Sequence, residues 1–175
     1  MFHDCENVKE INLGKLDFSL VTDFSHMFQG CKNLVNLDVT NFNTKNSKSF
    51  YDMFCNCNNL KKIDVSKFNS SKCETIRSMF GDCKSITEID MINWDMSNLK
   101  YNSHGNPIDY LFYGCSNLKT IKISGNLKEE EANKDFKGEI FKGVPKSGNL
   151  ILNKNKECNI PIDTYLPQNW TRNNE

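Results

Sequence analysis

A chain of 175 residues, 38% hydrophobic and 25% charged, is long enough for one domain of ordinary size. Its 22 basic and 22 acidic residues cancel and are interspersed, which argues against nucleic acid or an anionic membrane as a partner held by bulk charge. No run of 18 apolar residues is present, so no segment is expected to insert into a membrane. The opening MFHDCENVKE has neither the basic nor the apolar region of an export signal.

In chain order, one unit recurs. Met1-Phe2, Met27-Phe28, Met53-Phe54 and Met79-Phe80 stand 26 residues apart; Leu111-Phe112 follows after 32 and Ile140-Phe141 after 29. Cys5, Cys31, Cys57, Cys83 and Cys115 keep this spacing, with Val144 in the last copy. So do Leu34, Leu60, Ile86 and Leu118, then Leu37, Ile63, Ile89 and Ile121, and the aromatic-rich column Leu16, Phe42, Phe68 and Trp94. Residues 1–152 therefore read as five to six stacked copies, with an insertion near 100–109 (KYNSHGNPID) and a degenerate last copy at 124–152.

Within a copy the hydrophobic period changes. Val21, Phe24, Met27, Phe28 and Cys31 fall at three- and four-residue spacings, which predicts one face of a short helix. The position before each Cys is Asp4, Gly30, Asn56, Asp82 or Gly114, residues that tolerate a left-handed helix stop. The free position within the motif (Gln29, Cys55, Gly81) is expected to be exposed. Asn7, Asn33, Asn59 and Asn117 form a column expected to satisfy buried backbone groups as a ladder. LVNLDV (34–39) ends in the alternation of a strand with one buried face. No copy can bury these faces alone, but a stack can. The fold class expected is an α/β, right-handed, leucine-rich-repeat-like solenoid with a parallel sheet on one side and short helices on the other.

Residues 153–175 read as a C-terminal cap through Ile160, Ile162, Tyr165, Leu166 and Trp170. At the other end Met1-Phe2 already stands in motif register, which suggests either a chain that begins mid-repeat or self-association through an uncapped N-terminal end.

The string MFQGCKNLVNLDVTNFNTKNSKSFYDMF resembles the BspA-like leucine-rich-repeat surface proteins, over residues 1–123 closely and 140–152 loosely. That resemblance implies display on a microbial surface or secretion, and adhesion or binding to a protein or glycan ligand, host extracellular ones included. The missing export signal and the thiol-rich interior suit an alternative, a cytoplasmic interaction scaffold.

Little points to chemistry. Five of the 8 cysteines lie in the inward column, where they are expected to act as small apolar thiols; neighbouring copies would space them about 5 Å apart, near enough for a disulfide but with poor side-chain vectors. CNC (55–57) lacks the second pair of a zinc site. His3, His26 and His104 share no column, so no catalytic triad, cofactor or metal is expected. Asp38, Asp64 and Asp90 stand on the outward strand face, where they either close the following turn or form a file of carboxylates facing a cation or basic ligand. With Lys62, Glu88, Tyr101 and His104 they make up the candidate binding face of a non-enzymatic protein.

Overall fold

The 26-residue period becomes a hydrogen-bond register. In the computed structural model, residues 1–103, 105–126, 139–160 and 165–175 are described. The N–H groups of Phe24, His26, Phe28 and Gly30 donate to the carbonyls of Ser49, Tyr51, Met53 and Cys55 in the next copy. Phe50, Asp52, Phe54 and Asn56 donate likewise to Thr75, Arg77, Met79 and Gly81. Intervening N–H groups close turns within the copy, as Met27 does to Phe24 and Cys31 to Phe28. The backbone is thereby paired without a helix.

The stretch 21–31 is accordingly a run of turns and not the short helix its spacing suggests. The reason is a second left-handed residue four positions before the first. His26, Asp52, Ser78 and Tyr110 have φ between 53° and 61°, and each precedes a left-handed Gly30, Asn56, Asp82 or Gly114. Two such residues in five break an α-helix. Gly30 serves a further purpose, since a Cβ there would run into the Asp4 carboxylate of the copy before.

Opposite these turns the strands pair in parallel. β1 (Glu10–Ile11) pairs with β2 (Asn36–Leu37), and Asn36 bridges to Lys62. β3 (Glu88–Met91), β4 (Thr120–Ile123), β5 (Ser147–Leu152) and β6 (Asn169–Asn174) form a four-stranded sheet in that order. Here donation runs backward: Asn33 to Glu6, Val35 to Lys9, Asn59 to Lys32, Lys61 to Val35. The molecule is mixed α/β with parallel sheets and almost no helix among the described residues, Glu139–Phe141 forming a 3-10 turn. No closed barrel occurs among them.

Between strands and turns lie rows of aromatic rings. Phe2, Phe28, Phe54, Phe80, Phe112 and Phe141 stack successively at 5.4, 5.7, 5.7, 6.3 and 6.0 Å between centroids. A second row runs Phe18, Phe42, Phe68, Trp94 at 4.0, 6.0 and 6.1 Å. Leu16, assigned to this row by its register, is instead 50% exposed. Phe18, two residues later, fills the place because it is the larger apolar group.

The cysteines are all free thiols. Cys31, Cys57, Cys83 and Cys115 are buried and donate to the carbonyls of Phe2, Phe28, Phe54 and Phe80 at 3.0 to 3.1 Å. Ser47 and Cys73, which stand in the column of Val21 and Leu99, each donate to a carbonyl two residues on. Of the expected Asn ladder two links are seen, Asn59 to Asn33 at 3.1 Å and Asn117 to the Lys84 carbonyl of the copy before at 2.7 Å, and its members are exposed. Gly81 is buried and Gln29 and Cys55 half-buried, against the expected exposure, because Cys55 packs on Gly81.

The insertion is sharply bounded. Lys100 N–H donates to Glu74 O, a step of 26, whereas Ile76 N–H donates to Pro107 O, which sets Thr75 beside Pro107 at a step of 32. The six extra residues are thus 101–106; Ile108 and Asp109 belong to the buried stack.

Candidate functional site: an acid-rimmed cleft over the first three copies

The strands are short because side chains end them. Asp38 Oδ1 accepts from Thr40 N–H and hydroxyl at 2.9 and 2.6 Å, and Asp64 Oδ1 from Ser66 N–H and hydroxyl at 3.0 and 2.6 Å. Asp90 accepts Ile92 N–H at 3.1 Å, and Asn12 accepts Gly14 N–H at 2.9 Å. Each side chain closes an Asx turn. The Ser66 and Thr40 hydroxyls, with the backbone N–H groups, hold the Asp64 and Asp38 carboxyls below the usual carboxylate range.

A cleft of about 670 Å³ opens beside these turns. Its floor is Ile11, Leu13, Leu37, Ile63, Phe18 and Phe42; Leu16 forms a wall, and Glu10, Asp38, Asp64 and Lys62 form the polar lining. Over this stretch the core is buried but not fully sealed, with Leu37 and Phe42 each 7% exposed and Ile63 5%. Further along, the equivalent Ile89 is 0% and Trp94 1% exposed.

The charges divide the same way. Lys122 Nζ lies 3.5 Å from Asp90 and 3.7 Å from Glu88, and Asp90 raises the lysine's pKa. Among the described residues, no cation forms an ion pair with Glu10, Asp38 or Asp64. The structure therefore brings Asp38, Asp64 and Lys62 together in the cleft and sets Glu88 and Asp90 in a separate, paired group. Tyr101 lies half-buried in the insertion, and His104 falls outside the described residues.

Two other polar groupings are visible. Arg77 Nη1 donates to Asp109 Oδ2 at 2.9 Å, and the guanidinium lies 4.8 Å from the centre of the Tyr110 ring. This pair anchors the chain where it rejoins the stack. Farther toward the first copy, His26 Nδ1 lies 2.8 Å from Gln29 Oε1 and 3.6 Å from Asp52 Oδ2, and burial raises the Asp52 pKa. Burial also pushes the Cys55 thiol up to about 12, the opposite of what a reactive cysteine needs. Among the described residues, no group of three or more His, Cys, Asp or Glu is arranged to hold a metal ion. No helix among them is long and apolar enough to cross a membrane.

Sequence reasoning missed Glu10, Leu16 and Phe18 as cleft residues. Glu10 shares a column with Lys62 and Glu88, a signal that could have found it. The cleft itself depends on how residues 14–18 lie against the strands, which no column records.

Fold and site together define a parallel-stranded repeat protein with a polar-lined surface cleft. The chain belongs to the family described as "Mycoplasma protein of unknown function, DUF285", whose model matches residues 1–124. No curated protein and no solved structure matches it.

Proposed function

We propose that the chain is a non-enzymatic binding module, a protein-binding or adhesion segment of a microbial cell-surface protein, built as a right-handed leucine-rich-repeat-like solenoid of the BspA-like kind. The observation that carries this reading is the cleft, lined by apolar side chains and by carboxylates that form no ion pair among the described residues. Most other polar side chains serve turns or links between copies. Solenoids keep a constant interior and place their ligands on the surface that varies. The residues flanking the strand's inward positions do vary, from Asn36 to Lys62 to Glu88. The MF-x-x-C and L-x-x-L-D-V runs support surface display by resemblance, and a family description that names Mycoplasma accords with a microbial setting. The ligand is a protein or glycan, host extracellular molecules included.

A second reading, an intracellular interaction scaffold, is favoured by one observation: all cysteines are free thiols, as a reducing compartment keeps them. Antibody against the chain, applied to intact and to lysed cells, separates the two. Labelling of intact cells, with retention of the chain on immobilised extracellular proteins or glycans, is the expected result. Labelling only after lysis contradicts surface display.

A further inference from the structure

We infer that the cleft over the first three copies docks a cationic, partly apolar peptide segment, its lysine or arginine side chains paired with Asp38 and Asp64 and its apolar side chains set against Leu16 and Phe42. The inference rests on the binding-module reading and narrows it to one ligand chemistry. Three features carry it.

The first is charge. Glu10, Asp38 and Asp64 line the cleft with one ammonium, Lys62, so the lining carries a surplus of two negative charges (three minus one), with Lys67 outside it also acting on Asp64. Farther along the sheet Glu88 and Asp90 already share Lys122. An incoming cation in the cleft thus supplies what Lys122 supplies there. Asp38 and Asp64 commit Oδ1 to their own turns, and among the described residues Oδ2 of each accepts no hydrogen bond and joins no ion pair.

The second is the floor. Leu16 is 50% exposed over Leu37, Phe42 and Ile63, which are buried but less completely sealed than the corresponding Ile89 and Trp94. Covering apolar surface of this kind gains about 25 cal/mol per Å² before the costs of association.

The third is shape. The cleft runs across Glu10–Leu13, Asn36–Asp38 and Lys62–Asp64, three consecutive strand segments at sheet spacing. An extended chain alternating apolar and basic side chains presents its two kinds of group to opposite sides, so the basic ones can meet the Asp38–Asp64 edge while the apolar ones meet Leu16 and Phe42. A neutral or acidic glycan offers the carboxylates no cation.

The test uses the whole 175-residue chain and two blocked peptides, one alternating leucine and lysine, the other leucine and glutamate, followed by amide NMR. The expected result is binding of the lysine peptide, with shifts at 10–14, 36–42 and 62–64. Binding should weaken about tenfold between low and high salt, as screened ion pairs do. The double variant D38N/D64N should weaken it by a similar factor without unfolding, because Asn12 already closes the same turn in the first copy. Equal binding of the glutamate peptide, or binding unchanged in D38N/D64N, overturns the inference. Concentration-dependent shifts at these residues without peptide would assign the cleft to a second copy and overturn it too. If the lysine peptide fails to bind while the chain is still retained on an extracellular ligand, this inference falls and the binding-module reading stands.

Discussion

The thiol of Cys57 donates to the carbonyl of Phe28, 3.1 Å away in the preceding copy. That carbonyl also accepts the N–H of Cys31 at 3.2 Å, so both of its lone pairs are used. The N–H ladder along the turns runs from each copy to the next, and the thiols return the link in the opposite direction. Cysteine suits the column because it is small, apolar and still a donor.

Replacing Cys57 by alanine should therefore cost more than its volume. The variant loses the sulfur from a fully buried site and leaves Phe28 O with one donor. A loss of about 1–2 kcal/mol is expected in urea unfolding. An unchanged midpoint would show that the thiol contributes no link.

Alkali should destabilise the fold through the same residues. Burial pushes the Cys73 and Cys115 thiols from 9.0 up to about 12, and Cys83 well upward. A folded pKa above the unfolded one gives stability that is fully present below pH 9.0 and is lost as pH rises toward 12. Each such thiol adds a slope of about 1.4 kcal/mol per pH unit over that window. Cys73→Ser should fold, because Ser47 already occupies the same column and makes the equivalent bond. Unfolding midpoints measured from pH 8 to 11 should fall less steeply in C73S than in the parent chain; equal slopes would contradict the assignment.

Arg77 holds a side chain that cannot be left alone. Asp109 is 2% exposed in its side chain, and Oδ1 has no hydrogen-bond partner, so the Arg77 guanidinium is the cation that compensates it. Arg77→Ala should cost about 3 kcal/mol by leaving that charge buried and unpaired. Trimming residues 102–105 from the insertion should cost less, since Ile108 and Asp109 stay in place. Chemical denaturation of both variants checks the order.

The turn at Asp64 separates shape from charge. Asp64→Asn keeps an acceptor for Ser66 and should leave the melting temperature nearly unchanged, whereas Asp64→Ala should cost up to about 1 kcal/mol. Because Ser66 lowers the folded pKa of Asp64, its contribution is present above about 3.8 and is lost as pH falls below that value. The gap between the parent and D64A should thus narrow in acid to what a neutral acceptor supplies, the gap between D64N and D64A, as thermal melts at pH 7 and pH 3 would reveal.

What could be read in the sequence was whatever one side-chain type repeats. Phe28, Phe54 and Phe80, or Cys31, Cys57 and Cys83, announce shared environments because each environment admits one solution. The second left-handed position stayed hidden because His26, Asp52, Ser78 and Tyr110 have no chemistry in common; the ladder, not the residue, sets their conformation. This is why a helix was expected over 21–31. Phe18 was missed because counting by 26 selects Leu16, and packing chose the larger group two residues on. Of the candidate face, the Asp column was visible, but its division was not: whether a carboxylate is paired depends on Lys122 at one end and on nothing equivalent at the other.

Successive copies are joined in register through the backbone of the turns. Scalar couplings across hydrogen bonds, measured by NMR between amide nitrogens and carbonyl carbons, test it most directly. Couplings from Phe24, His26, Phe28 and Gly30 to Ser49, Tyr51, Met53 and Cys55 are predicted. Couplings from these amides to carbonyls four residues earlier in the same copy would mean a helix, and would contradict it.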